Sequence, residues 1–135
     1  MTFEVNFVTY RGLYRTVKTE KLNVPTKDGR RCILSNHMPI VLPLTVGVVN
    51  ISVDKNEEYY AITDGMLMFE NNQATVLADS IIDVKDIETD RIRHKLEEAQ
   101  LKLERADNEN DIMMAKMSIT KALNKLKAKN KYGRL

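Results

Sequence analysis

The hydrophobic repeat of this chain changes once, close to Asp86. Before that point apolar residues alternate with polar ones, as in FEVNF, where Phe3, Val5 and Phe7 share one face of a predicted strand. After it, apolar residues recur at intervals of three and four, which is the repeat of an amphipathic helix. Because one regular element cannot carry both repeats, the chain must build two different structures in succession.

The first structure is predicted to be an all-β sandwich or barrel over residues 1–85. Short apolar segments alternate there with turn-forming residues, and no helix pattern intervenes. Asp28-Gly29 and Asp64-Gly65 are the strongest hairpin signals, because type I′ turns need a positive φ at both central residues.

The second structure, over residues 86–135, is predicted to be an antiparallel hairpin of two helices of about 16 residues each. The polar segment DNEND at 107–111 interrupts the repeat and offers N-cap residues to the second helix. Both apolar stripes are narrow and rich in alanine: Ile92, Leu96, Ala99, Leu103, Ala106, Ile112, Ala115, Ile119, Ala122 and Leu126. We therefore expect a helical pair that docks on another surface and can leave it.

Charge is unevenly distributed between these two regions. The first 85 residues are close to neutral, whereas lysines and arginines exceed acids in the rest, and no acid follows Lys116. Attraction to an acidic protein surface is the favoured interpretation. An adaptor that binds nucleic acid through this basic helix is the alternative function, although Tyr132 is the one aromatic residue in the segment.

Catalytic and metal-binding patterns are absent from the sequence, which has two histidines and one cysteine. We expect no enzymatic activity of this chain alone, and no metal. Cys32 lies in an apolar run and is predicted to be a small buried residue. His94 falls off the helical stripe and is predicted to face solvent. Adaptable packing on the second helix is predicted for Met113, Met114 and Met117.

No targeting or membrane-spanning segment is expected either. The first ten residues alternate in polarity instead of forming an apolar block. No stretch reaches the roughly 20 apolar residues that cross a bilayer.

A polar pair, Asn36 and His37, interrupts the apolar run CILSNHMPIVLPLTVG. Asn favours turns, and Pro39 holds Met38 in an extended conformation, so a simple turn is one interpretation. A loop with a polar tip and prolines behind it can also present a contact point on a rigid scaffold. The residues alone leave both interpretations open.

Three segments in order resemble the ε subunit of bacterial F-type ATP synthases. DGRRCILSNHMPIVLPLTVG is similar to its signature G-x-x-G-I-L-P-N-H-A-P-L and departs from it at Cys32, Ser35 and Met38. YYAITDGMLMFENNQATVLAD resembles a second conserved run of that family. The segment from DIETDRIRHKLEEAQLKLERA to KALNKL resembles its helical hairpin. Together the segments span nearly the whole chain.

The resemblance implies a non-catalytic rotor subunit that acts in ATP synthesis and hydrogen ion transport. Its sandwich would bind the γ subunit and rest on the ring of c subunits. The implied place is the cytoplasmic face of the bacterial cell membrane, with peripheral attachment through the complex alone. Contact with the polar loops of the c ring would be made by Arg30, Ser35, Asn36, His37 and Met38. Many family members have Glu where this chain has Arg30, so an ionic contact there would change sign or be lost.

The resemblance also gives the helical hairpin a regulatory role. In a compact state it would fold against the sandwich, and when extended it would reach the α and β subunits and block ATP hydrolysis. Acidic residues of the β subunits would then meet Lys121, Lys125, Lys127 and Lys129.

ATP is a possible regulatory ligand by the same resemblance, and no other cofactor is implied. Some family members bind ATP at a motif that starts the first helix. This chain reads IETDRI at 87–92, which makes Glu88 and Arg91 the candidate ligands.

Overall fold

A computed structural model describes residues Met1–Gly133, and that part of the chain contains ten β-strands followed by two α-helices. This confirms the predicted β-sandwich followed by a helical pair. The chain divides into two compact units, Met1–Asp83 and Val84–Leu135. The strands are β1 (Phe3–Thr9), β2 (Gly12–Thr19), β3 (Lys21–Thr26), β4 (Gly29–Leu34), β5 (Ile40–Leu44), β6 (Gly47–Val53), β7 (Asn56–Ile62), β8 (Gly65–Glu70), β9 (Gln73–Ala78) and β10 (Ile81–Asp83).

The strands form two five-stranded sheets that enclose one apolar core. Their orders are β2-β1-β9-β8-β5 and β10-β7-β6-β3-β4. The alternation seen in the sequence sets the inward faces, so Val5 and Phe7 of β1 are fully buried while Asn6 between them is not. Phe7 stacks on Tyr60 of the opposite sheet with ring centroids 4.7 Å apart. These contacts make the sandwich a body with its own core.

A polar cluster closes one margin of this core. Arg15 on β2 forms an ion pair with Glu58 on β7, and the Tyr60 hydroxyl donates a hydrogen bond to the same carboxylate over 2.7 Å. Burial of the Tyr60 hydroxyl raises its pKa, and the hydrogen bond and charge of Glu58 raise it further. Because Arg15 belongs to one sheet and Glu58 and Tyr60 to the other, the cluster links the two sheets.

A hairpin joins β3 to β4 at the first predicted Asp-Gly signal, but it is not a type I′ turn centred on Asp28-Gly29, and the hairpin predicted at Asp64-Gly65 is wrong. Lys27 and Asp28 are the central residues of the first turn, and Gly29 follows with φ +115°. Gly65 begins β8, which lies in the other sheet from β7, so Asp64 and Gly65 do not close a hairpin. A Cβ at Gly65 would lie 1.9 Å from the Leu77 carbonyl oxygen, so this glycine allows two backbones to approach closely.

Two-residue turns with both φ values positive occur elsewhere in the sandwich. Asp54 and Lys55 join β6 to β7 with φ values of 50° and 67°. Asn71 and Asn72 join β8 to β9 with φ values of 53° and 56°. Asn and Asp tolerate this left-handed conformation without a glycine. Both segments are among the turn-forming stretches that separate the predicted strands, so the positions of these turns were predicted although their type was not.

The predicted burial of Cys32 is also wrong, because its side chain is exposed. Ile33 takes the inward position on β4 and is fully buried, so its neighbour Cys32 points outward opposite Asn23. β4 is the last strand of its sheet, and within Met1–Gly133 no further strand pairs with that edge.

The two helices are α1 (Thr89–Arg105) and α2 (Glu109–Tyr132), preceded by a short 3-10 helix at Val84–Asp86. The side chain of Asn108 caps α2 by accepting a hydrogen bond from the Asp111 backbone nitrogen over 2.8 Å. α2 has 24 residues and is longer than predicted, because no breaker interrupts it before Gly133. Neither helix of the described region is long and apolar enough to span a membrane.

All ten stripe positions of the hairpin are buried or half-buried, in agreement with the predicted repeat. His94 is exposed as predicted and lies 2.9 Å from Glu98 on the next turn. The prediction that three methionines pack on α2 is wrong. Met113, Met114 and Met117 are exposed, because Ala115, Ala122 and Ala128 occupy the buried face.

Candidate interaction surfaces

The loop at residues 35–39, here called the crossing loop, carries the chain from β4 in one sheet to β5 in the other. It begins with a turn in which the His37 backbone nitrogen donates to the Leu34 carbonyl oxygen over 3.2 Å. Asn36 has φ 64° while Ser35 has no positive φ, which is the pattern of a type II turn. Asn is one of the few residues other than Gly that this position accepts, and it therefore forms the tip.

Two side-chain contacts hold the crossing loop against the sandwich. The backbone nitrogen of Asn36 donates to the side-chain oxygen of Asn72 over 2.7 Å, and the Ser35 hydroxyl lies 3.3 Å from the same oxygen. The His37 ring packs edge-on against Phe69 with centroids 5.9 Å apart. His37 is thus half-buried and anchors the loop, whereas Asn36 and Met38 are exposed.

Arg30, which the resemblance grouped with this loop, lies at the far end of β4. Leu34 lies four positions further along the strand, a distance of about 13 Å. Its guanidinium donates to the Asn23 side-chain oxygen over 2.8 Å and to the Val48 carbonyl oxygen over 2.7 Å. The structure therefore brings together Ser35, Asn36, His37 and Met38 but not Arg30.

A second exposed surface was not predicted from the sequence. The outward face of the β2-β1-β9-β8-β5 sheet carries neighbouring apolar side chains from all five strands, of which Leu13 is 64% and Val41 60% exposed. We call this the outer apolar patch, and its members are Val8, Leu13, Val41, Pro43, Met66, Met68 and Leu77. The sequence does contain a signal for this patch, namely uninterrupted apolar runs such as IVLPL and MLMF. Strands that are apolar on both faces are typically covered on both faces.

A basic groove runs between the two helices of the hairpin and encloses about 730 Å³. Its lining includes apolar residues such as Ile92, Ala99 and Ala122 and lysines from both helices, together with the acidic residues Glu98 and Asp111. The pKa of Lys125 is lowered, first by desolvation and then by the positive charges of Lys95, Lys121 and Arg91. These four side chains therefore create a concentration of positive charge beside the apolar residues of the lining.

The four lysines expected to form one inhibitory surface lie in three settings. Lys121 and Lys125 line the groove. The Lys129 ammonium donates to the carbonyl oxygens of Val84 and Lys85 over 3.2 Å and 3.3 Å. Lys127 is exposed. Glu88 and Arg91, the candidate nucleotide ligands, begin α1, with Glu88 at its N-cap and Arg91 near Lys125.

Metal chemistry has no visible basis in the described residues. Within Met1–Gly133 no three His, Cys, Asp or Glu side chains lie close enough to hold a metal ion.

Comparison with known proteins gives these surfaces a context. The family described as "ATP synthase, Delta/Epsilon chain, beta-sandwich domain" matches residues 2–84. An ATP synthase epsilon chain of Halalkalibacterium halodurans is 33% identical over 126 residues, which cover 93% of this chain and 95% of that protein.

Solved structures with the same fold come from two mitochondrial ATP synthases. A chain of the Euglena gracilis OSCP/F1/c-ring structure has a TM-score of 0.70 and 14% sequence identity. The match covers 86% of this chain and 74% of the Euglena chain. A chain of the Tetrahymena thermophila central stalk/c-ring structure has a TM-score of 0.61 and 16% sequence identity. The match covers 93% of this chain and 95% of the Tetrahymena chain. Because the family match spans the whole sandwich and a relative matches nearly the whole chain, this protein belongs to the family of ATP synthase delta and epsilon chains, as its sequence resemblance predicted.

Proposed function

We propose that this non-catalytic subunit couples the γ subunit to the c ring in the rotor of a bacterial ATP synthase, and that its helical hairpin restrains ATP hydrolysis. One observation carries the coupling proposal. The sandwich exposes two surfaces of different composition, the outer apolar patch and the crossing loop, as a subunit that joins two partners requires. The two solved structures that share this fold are described as containing F1 and the c ring, and the central stalk and the c ring, which supports the proposal.

A subunit that transmits torque must resist deformation. The continuous core and the Arg15–Glu58 pair between the two sheets provide this rigidity. The crossing loop is likewise fixed, by Asn72 and Phe69, instead of projecting freely. A load applied at the loop would therefore reach the patch through a packed body.

We assign the outer apolar patch to the γ subunit, because an apolar surface of this kind is usually covered by a protein. A charge in its centre should abolish binding, so Met66→Glu or Leu77→Glu should prevent co-purification of the chain with γ from the native membrane. Leu101→Glu makes the same kind of change on an exposed position of α1 and serves as the matched control. Retention of γ by both patch variants would disprove the assignment.

We assign the crossing loop to the polar loops of the c ring. The exposed tip consists of Asn36 and Met38 and carries no charge, while Arg30 is occupied by its bonds to Asn23 and Val48. The contact should therefore depend on hydrogen bonds and apolar packing and change little with salt concentration. Proton-driven ATP synthesis that becomes uncoupled in moderate salt would contradict this assignment.

The restraint of hydrolysis is assigned to the helical hairpin and its exposed basic side chains. Narrow alanine stripes and exposed methionines favour an element that exchanges one docking surface for another. Truncation after Glu88 should raise the ATP hydrolysis rate of the assembled complex and leave proton-driven synthesis intact. An unchanged hydrolysis rate would disprove the restraint without affecting the coupling proposal.

ATP is the proposed ligand of the basic groove, as a regulator of that restraint. Arg91, Lys95, Lys121 and Lys125 would surround its phosphates, and binding would relieve the mutual repulsion of these charges. Isothermal titration of the full chain with ATP should show binding that Lys121→Met weakens and that exposed Lys127→Met leaves unchanged. Equal affinities in the two variants would reject the groove as the site.

We place the subunit on the cytoplasmic face of the cell membrane, held there by its complex. A nucleic-acid-binding adaptor is the less favoured function, since the relative from Halalkalibacterium halodurans matches 93% of the chain, most of the basic helix included.

A further inference from the structure

We propose that Asn72 is a positioning residue that sets the crossing loop for its contact with the c ring. This inference rests on the proposed coupling function and adds to it a residue outside the loop. Asn72 lies in the turn between β8 and β9, 35 or more positions along the chain from the loop residues that it holds.

The Asn72 side chain joins three segments of the sandwich. Its oxygen accepts from the Asn36 backbone nitrogen over 2.7 Å and lies 3.3 Å from the Ser35 hydroxyl. Its nitrogen donates to the Thr2 carbonyl oxygen over 3.3 Å. A backbone N–H can only donate, so the bond from Asn36 fixes which end of the amide faces the loop.

The hydrogen bond to Asn72 is donated by the tip residue of the loop, Asn36. Asn36 has φ 64°, a conformation that most side chains disfavour, and its own side chain is exposed. The backbone nitrogen of such a tip residue would otherwise bond to water. By accepting from it, Asn72 selects one orientation of the tip that Asn36 and Met38 present.

The geometry also explains why this residue is an asparagine. Position 72 needs a positive φ, an acceptor for the loop and a donor for Thr2. Glycine supplies the first of these alone, and aspartate supplies the first two. The three requirements can therefore be separated by substitution.

The variants Asn72→Gly, Asn72→Asp and Asn71→Gly test this role. Asn71 has φ 53°, so glycine there makes the same backbone change without removing a loop contact. In the full chain, Asn72→Gly should speed hydrogen exchange of the Asn36 amide about fivefold, the effect of one net hydrogen bond. Asn72→Asp should preserve slow exchange, and Asn71→Gly should match the unsubstituted chain. Equal exchange in the two glycine variants would overturn the proposal.

The functional readout uses membranes that contain the ATP synthase but have been depleted of this subunit. A positioning role predicts that Asn72→Gly needs about fivefold more protein for half-maximal restoration of proton-driven ATP synthesis, with the same plateau. Asn72→Asp should restore the original requirement. Faster exchange without a changed requirement would overturn the role in coupling while leaving the proposed function intact. Failure of the unsubstituted chain to restore any synthesis would instead overturn the proposed function, and this role with it.

Discussion

The guanidinium of Arg15 lies 2.5 Å from the carboxylate of Glu58, and the two residues belong to opposite sheets of the sandwich. Both side chains are partly shielded from solvent, Glu58 more than Arg15. Because Tyr60 donates to the same carboxylate, removal of Glu58 would leave two polar groups without their shared acceptor. The pair thus contributes to the rigidity that the proposed coupling function requires.

Glu58→Gln should lower the free energy of unfolding by about 1–2 kcal/mol, since the partly buried acceptor keeps its oxygen but loses the negative charge that pairs with Arg15. Urea denaturation of the full chain measures it. Glu57→Gln is the matched control, because Glu57 pairs with Lys21 over 2.6 Å at a more exposed site on the same strand. A loss in Glu57→Gln as large as that in Glu58→Gln would contradict the importance of the pair between the sheets.

Tyr60 should make the sandwich less stable in alkali. Its pKa is raised above the usual 10.0 in the folded protein, so the unfolded chain releases this proton first as the pH rises. The stabilisation is therefore complete below pH 10 and decreases above it, by up to about 1.4 kcal/mol per pH unit. Urea unfolding between pH 8 and pH 11 should show this slope, and Tyr60→Phe should reduce it. An identical slope in that variant would contradict the assignment to Tyr60.

Lys125→Met should stabilise the helical hairpin. The lowered pKa of Lys125 means that its charged form is disfavoured when the helices are folded, so stability rises as the pH approaches the unfolded value of 10.5. At neutral pH the substitution should add about 0.5 kcal/mol, the size of like-charge repulsion between neighbours on a helix. Thermal unfolding followed by circular dichroism measures the effect. Lys127→Met should change nothing, and a gain equal to that of Lys125→Met would argue against repulsion within the groove.

Gly65→Ala should be severely destabilising, by about 4 kcal/mol, because the new methyl group would overlap the Leu77 carbonyl oxygen at 1.9 Å. Gly29→Ala is the comparison, since its methyl group meets nothing within 4 Å and adds about 1–2 kcal/mol of backbone strain. Urea denaturation should rank the two in that order. The reverse order would contradict the register of β8 against β9.

The architecture was predictable because its two repeats are strong and its helices contain no breakers. The positions of the turns were predictable from Asp, Asn and Gly, but the turn types were less so, since Asp-Lys and Asn-Asn adopt the left-handed turns and neither Asp-Gly pair does. The burial of Cys32 was misjudged for a related reason. An apolar run does not reveal which of two neighbours points inward, and Ile33 does so here.

The interaction surfaces depend on contacts between residues that are distant in the sequence. Position and polarity were enough to single out Asn36, but nothing local to the loop indicates Asn72, which reaches it from the β8–β9 turn. The outer apolar patch likewise requires the order of five strands, because its members become neighbours only when the sheet forms. The separation of Arg30 from the loop follows from the strand length between them.

The central claim, that the crossing loop contacts the c ring, is tested most directly by disulfide formation in the assembled complex. Met38 is the best position for the new cysteine, because it is 72% exposed while His37 is packed on Phe69. Cys32→Ser removes the exposed native thiol. Oxidation should link Met38→Cys to a cysteine in the polar loop of the c subunit and leave ATP synthesis intact, because the two linked subunits belong to the same rotor and turn together. A complex that contains γ and this subunit but never forms the link would contradict the account.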